Sequence, residues 1–256
     1  LNLRVAVGGG TNTQSYEFGF TDPYFLGRRI SAGVNVFRRV YNENNFRSYD
    51  YDTTGGGLTF GFPITENFSI QTGYQLEVQN IDVEGDKCDG GGDDASLAIC
   101  QAAGETFVSS VLYSLIYDSL DNRLDPHDGI YAKFTQEFAG VGGDVAFLRT
   151  TGSAAYYREI LPDRDIVGLV KVQGGHIVGV GEDVRLLDAF FKGGETVRGF
   201  ESSGFGPRDA VTEDALGGNV FAAATAEVQF PLPVLPRDLG FKGAFFADAG
   251  TLFDTD

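Results

Sequence analysis

At 256 residues, with 36 glycines and aromatics at 13%, the chain has the composition of one large β domain. No run approaches the ~18 apolar residues of a spanning helix, which excludes a helical membrane protein. The formal charge of −17 argues against nucleic acid as a partner, because phosphates attract basic surfaces.

Period-two alternation dominates the chain from its first residue. It marks Leu1 to Gly8, Gln14 to Phe20, Ile30 to Tyr41, Tyr49 to Phe62, Phe68 to Asn80 and Thr106 to Ser119. It continues through Tyr131 to Val141, Asp144 to Ile160, Ile166 to Val180, Asn219 to Phe230 and Leu239 to Gly250. These are about eleven strands, several of the ~10 residues that a tilted strand needs to cross a bilayer. In the clearest of them Phe68, Ile70, Thr72, Tyr74, Leu76 and Val78 share one face, while Gln71, Gln75, Glu77 and Gln79 lie on the other. With no Met, no signal-like start at Leu1 and no closing element after Asp256, the sequence reads as an excerpt of a longer protein.

The connections alternate as well. Thr21 to Arg29, Pro63 to Asn67, Leu120 to Gly129, Leu161 to Asp165 and Pro231 to Asp238 are short and hold most of the prolines. Between them fall the longer, more polar Asn42 to Ser48, Gly85 to Glu105 and Glu182 to Gly218, with Gly142-Gly143 as a tight exception. Short turns at one rim and long loops at the other describe a transmembrane antiparallel up-and-down β-barrel. Alternation alone fits a soluble sandwich or a lipocalin-like barrel too; a wall carrying Gln71, Gln75, Glu77 and Gln79 favours the membrane reading.

Cys88 and Cys100 both sit in the polar insert and suggest a disulfide, with two free thiols as the alternative and a metal site disfavoured for want of nearby ligands. Asp86, Asp89, Asp93 and Asp94 lack the spacing of a calcium loop and read as a solvated segment that could at most hold a cation loosely. The glycine clusters at 8–10, 55–57 and 140–143 have no following helix to bind a phosphate and read as bends or close backbone approaches. Ser202, Ser203, His127 and His176 form no nucleophile, base and acid arrangement, so no enzyme and no cofactor is expected.

The stretch Gly193 to Asp209 is too polar and glycine-rich for strand or helix, yet carries two aromatics and two arginines. It lies in a connection of roughly 35 residues, a length that is usually functional or disordered. On the next strand, Val220, Ala222, Ala224, Ala226, Val228 and Phe230 form the apolar set, which turns Thr225, Glu227 and Gln229 inward. On the strand after that, Leu239, Phe241, Phe245, Ala247 and Ala249 leave Lys242 and Asp248 inward. Two carboxylates on one wall repel unless a cation lies between them, and a guanidinium fork suits both. Arg198 is the candidate, with Val197 and Phe200 to pack against the wall and Gly199 for close approach; Arg208 is the reserve. The plainer alternative is a surface arginine on a mobile loop.

Val197-Arg198-Gly199-Phe200, followed by Gly206-Pro207-Arg208-Asp209, resembles the sixth extracellular loop of the BamA family of outer-membrane assembly barrels. Leu216-Gly217-Gly218-Asn219, Ala226-Glu227-Val228-Gln229-Phe230-Pro231 and Phe245-Phe246-Ala247-Asp248-Ala249-Gly250 resemble the strands that follow it. Phe18 to Arg28, and Asp121-Asn122-Arg123 with Pro126 and Gly129, resemble its periplasmic turns. The loop tetrad is shared with passenger-secreting transporters and organelle import pores, whereas the proline-bearing strands are similar to BamA more narrowly.

The resemblance implies an all-β barrel of sixteen strands, of which residues 1–256 would hold the third to the thirteenth, with 182–218 as the loop that enters the lumen. It implies that Arg198 pairs with Glu227 and Asp248. The implied function is insertion of nascent β-barrel proteins into the outer membrane of a Gram-negative bacterium, without cofactor or metal, at a seam lying outside this sequence. The implied partners are nascent barrels, accessory lipoproteins, outer-membrane lipid and lipopolysaccharide. A transporter that secretes one passenger protein is the alternative, and a passive porin a third reading.

Overall fold

The structure is a computed structural model that describes residues 2–10, 13–42, 49–83, 88, 95–232 and 241–255. Eleven strands form one antiparallel sheet in chain order: β1 (Asn2–Gly10), β2 (Thr13–Asp22), β3 (Ser31–Tyr41), β4 (Asp50–Pro63), β5 (Phe68–Asp82), β6 (Gly104–Asp118), β7 (Gly129–Ala139), β8 (Phe147–Leu161), β9 (Ile166–Gly179), β10 (Val220–Pro231) and β11 (Lys242–Phe253). Every neighbour in space is a neighbour in sequence, the up-and-down order that the alternating connections predict. No helix among the described residues is long and apolar enough to cross a membrane; the strands, most of them longer than the ~9–11 residues that suffice when tilted, are.

Alternation resolves the sheet into two faces. The outer face exposes Val34, Val36, Leu58, Phe60, Tyr156, Val170, Val172, Val228 and Phe245, large apolar groups that water would penalise and lipid does not. The inner face carries Gln75, Glu77 and Gln79 of β5, where both glutamine side chains donate to the Glu77 carboxylate at 3.1 and 2.7 Å. Toward the long-loop rim the inner face turns apolar: Val108, Ala139, Phe147, Ile177, Phe221 and Leu252 form a buried cluster. A lumen wall of uniform polarity would have no use for it, and its cover is the long loop described below.

Two connections depart from the sequence reading. Strand β8 begins at Phe147, not Asp144, so the link from β7 spans residues 140–146 and is no tight turn. It folds back onto the free end of β6, where the Asp144 amide donates to the Phe107 carbonyl and the Phe107 amide donates to the Asp144 carboxylate, both at 2.8 Å. The polar insert between β5 and β6 is not all loop: Leu97–Ala102 form a helix, α1, whose first turn is capped by the Ser96 hydroxyl accepting from the Ile99 amide. Cys100 of that helix is joined to Cys88. Asp86, Asp89, Asp93 and Asp94, and with them the weighed cation site, lie outside the described residues.

At the short-turn rim, residues 119–128 lie across the ends of the following strands. Arg158 of β8 donates to Asp128 at 2.9 Å, His127 Nε2 lies 2.8 Å from Asp165 in the β8–β9 turn, and Lys242 at the start of β11 donates to Asp125 at 2.6 Å. Burial lowers the His127 pKa, but the Asp165 carboxylate and the Asp125 carbonyl raise it by more, so the imidazole titrates above its ordinary value. A raised folded-state pKa means that this tie contributes stability in full below about pH 6.5, the unfolded value, and loses it as pH rises through the folded one. We expect Asp165→Asn to lower the His127 pKa, since the carboxylate that favours the charged imidazole is gone. Imidazole chemical shifts followed from pH 5 to 9 check this, and the variant's thermal midpoint should lose that pH dependence.

Candidate functional site

The chain between β9 and β10 leaves the long-loop rim, crosses the inner face and returns. Its first anchor is at β5, where Arg185 donates to the Gln79 side-chain carbonyl at 3.1 Å and to Asp188 at 2.8 Å. Asp188 is 2% exposed, and its backbone carbonyl accepts from Arg149 of β8, which also pairs with Glu137 of β7 at 3.0 Å. Beside this anchor, Leu186 and Leu187 pack on the cluster of Tyr49, Ile81 and the fully buried Ile99 of α1. Burial of such side chains stabilises by about 1.5–3 kcal/mol each. The Asp214 carboxylate, further along the loop, accepts from the Ser96 amide at 3.1 Å, so helix and loop hold each other.

In its middle the loop packs on the apolar half of the inner face. Phe190 meets Phe221 edge-on at 4.7 Å, and both rings lie over Gly175 of β9, where a Cβ would come within 2.8 Å of each. The Lys192 ammonium caps the Phe221 ring at 4.0 Å.

Its second anchor contains the residues singled out by strand phase. The Arg198 guanidinium donates through Nε and Nη2 to both oxygens of Asp248, at 2.7 and 2.9 Å, and through Nη1 to Glu227 at 2.5 Å. The Arg198 backbone amide adds a fourth donation, to Asp248 at 3.0 Å. The side chains of Asp248 and Glu227 are 3% and 11% exposed, so their charge is met chiefly by the fork. Gln229 completes the set by donating to the second Glu227 oxygen at 2.9 Å.

Strand register explains why one arginine serves both carboxylates. Thr225 stands opposite Asp248 and Phe246 opposite Glu227, so the two acids are diagonal neighbours with an aromatic ring between them. The guanidinium carbon lies 3.5 Å from the Phe246 ring centroid, which gives the cation a third contact of about 0.5–2 kcal/mol. Val197, 6% exposed, is seated where Gly250 has no side chain; a Cβ there would come within 2.6 Å of the valine. Gly199 has φ +96°, a left-handed backbone that turns the chain away immediately after the arginine. Phe200 packs on Phe205 of the same loop at 5.2 Å and stays half exposed, so it closes the loop on itself.

Arg208, the reserve candidate, is not a wall contact: it donates to the Glu213 and Ser203 carbonyls and stiffens the loop tip. Phe246, Arg185 and Arg149 were missed. Phe246 was within reach, since the phase that turns Phe245 outward turns its neighbour inward. His176 is an exposed outer-face residue and His127 a rim tie to Asp165.

Removing the Arg198 side chain leaves two buried carboxylates facing each other. We expect Arg198→Ala to cost about 2–3 kcal/mol, below the ~3–5 of a wholly buried pair because 36% of the side chain is exposed. Arg198→Lys should cost more than half as much, since an ammonium cannot bridge both acids as a fork. Urea midpoints of the folded, fast-migrating gel form measure both. Gly250→Val should also shift that midpoint downward, by about 1–3 kcal/mol, because its side chain occupies the Val197 seat.

Comparison with known proteins places this geometry in a family. Residues 1–256 match the Omp85 superfamily domain. The chain is 36% identical over 244 residues to the outer membrane protein assembly factor BamA of Neorickettsia risticii, covering 94% of this chain and 31% of that one. It is 34% identical over 250 residues to the sorting and assembly machinery component 50 homolog A of Xenopus laevis, covering 95% of this chain and 51% of the relative. It therefore spans a third to a half of the curated relatives it matches. Among solved structures, BamA from Haemophilus ducreyi lacking POTRA domains 1-3 superposes with a TM-score of 0.81 at 20% identity, covering 98% of this chain and 52% of that one. Matched along its whole length by the family's domain and by the barrel of a solved member, the chain belongs to the Omp85 superfamily.

Proposed function

We propose that this segment is the scaffold arc of a non-enzymatic insertase that assembles β-barrel proteins into the outer membrane of a Gram-negative bacterium, with nascent barrels as clients. The curated relatives named as assembly factors support the activity, and the loop's two anchors support the mechanical role. Residues 1–256 are the middle of the barrel domain, and 182–218 are its sixth extracellular loop, held in the lumen. Accessory lipoproteins and lipopolysaccharide are partners of the whole assembly on this reading.

The observation that carries the proposal is the Arg198 tie between β10 and β11. An insertase needs no nucleotide if its work is to present strand edges and a deformable membrane to a client. Such a barrel must deform in one place and stay rigid elsewhere. A loop anchored at Gln79 of β5 and at Glu227 and Asp248 crosses five strand intervals, about 24 Å along the sheet at ~4.8 Å per interval. It acts as a strut that holds the curvature of this arc while strands outside the arc open.

In the full-length protein, Arg198→Ala should slow client assembly several-fold, read as loss of folded client barrels in proteoliposomes. Normal client insertion together with normal heat-modifiability of the variant itself would remove the strut role.

A further inference from the structure

The outer face carries a charge close to its short-turn rim. Arg158 lies on β8 between Tyr156 and Ile160, both outward and half exposed, and its own side chain is 64% exposed. Charged side chains that face lipid are costly at the midplane, by about 2–4 kcal/mol, and nearly free close to the interface. Arg158 is three residues from the end of β8 at the short-turn rim, which in such barrels is the periplasmic one. There it can extend its head toward the headgroup layer.

Below it the outer face is hollow. Ala226 and Ala247 give a floor of small residues on β10 and β11, with Ile160 lying over Gly168 at one side and Tyr156, Val228 and Phe245 as walls. The groove has a volume of about 460 Å³, within the ~300–1,000 Å³ of ordinary ligand sites, and Arg158 lines its end. One guanidinium nitrogen donates to Asp128, itself 52% exposed; among the described residues the other two make no hydrogen bond. The groove's mouth thus presents a cation and an anion side by side, both solvent-accessible, above an apolar trough that opens on the bilayer.

We propose that this groove binds one glycerophospholipid of the periplasmic leaflet with a primary-amine headgroup. The phosphate lies on the free donors of Arg158, the ammonium on Asp128, and one acyl chain in the trough. An Arg–Asp pair selects a zwitterion over an anion, because an anionic lipid satisfies Arg158 but is repelled by Asp128. Small residues at Ala226 and Ala247, between Tyr156, Val228 and Phe245, give the acyl chain its seat.

Native mass spectrometry of the purified full-length protein tests this, with phosphatidylethanolamine, phosphatidylglycerol and diacylglycerol of matched acyl chains as probes. Phosphatidylethanolamine should bind one to one, about five-fold more tightly than phosphatidylglycerol and tighter still than diacylglycerol. Arg158→Ala should erase the preference among the three. Asp128→Asn should shift it toward phosphatidylglycerol. Ala226→Phe, which fills the trough from the lipid side, should weaken all three while keeping their order. Equal binding of the three lipids by the unaltered protein, or an unchanged preference in Arg158→Ala, overturns the site; tighter binding of phosphatidylglycerol overturns the zwitterion. If Arg158→Ala fails to fold, the Asp128 and Ala226 variants decide.

Discussion

Two carboxylates buried on one wall of a sheet are an electrostatic liability, and the fold is arranged around the cation that answers it. Asp248 and Glu227 stand on adjacent strands at diagonal positions, both side chains largely covered, and one guanidinium supplies the counter-charge to both. The arginine that lies between them comes from the loop that precedes both strands. Register, turn and loop must therefore all be in place before the charge is met, so the ion pair reports on the tertiary structure as a whole. A pair of this kind is weak evidence for net stability, since a hydrophobic replacement could do as well. Its value is specificity: only one placement of the loop on the wall satisfies three groups at once.

Around that point the loop uses ordinary packing. Val197 on Gly250, and Phe190 and Phe221 over Gly175, are contacts in which glycine on the wall makes room for a side chain of the loop or the lumen. The apolar patch on the inner face, from Val108 to Leu252, makes sense only with this cover. Anchoring at Arg185 as well as Arg198 turns the loop from a flap into a chord: one anchor would leave it free to swing, whereas two fix the distance between β5 and β10–β11.

The strands were legible because both of their faces alternate, and lipid outside and solvated lumen inside preserve period two through the whole chain. The inward facing of Glu227 and Asp248 was legible for the same reason. Phase alone gives the face and not the register, so the diagonal offset and the place of Phe246 had to come from the structure. Arg185 had no local signal at all: its partner Gln79 is 106 residues away and looks like any other inward glutamine. The six-residue helix α1 was hidden because it is too short to show a period and is held by Ser96, by Ile99 against Leu186 and Leu187, and by Asp214. Where β8 begins was misplaced because Asp144-Val145-Ala146 continues the alternation, although its backbone pairs back onto β6 and not forward into the new strand.

The net charge of −17 acquires a physical reading from these sites. Several of the positive charges are committed to places where a carboxylate has been taken out of water or set at a rim: Arg198 of the loop on the inner wall, Arg149 of β8 and Arg185 of the loop beside Glu137 and Asp188, Arg158 and Lys242 at the short-turn rim. In the wall the partners' side chains are 3% and 11% exposed and the arginine meets them with three side-chain hydrogen bonds, two of them a bidentate fork on Asp248, which leaves little of either carboxylate open to a ligand. At the rim Arg158 and Asp128 are both more than half exposed and joined by a single hydrogen bond, which leaves donors and acceptors unused. The same pair of residue types thus closes a structure in one environment and offers a binding surface in the other, and what separates the two outcomes is how much of each partner remains within reach of the solvent or the lipid.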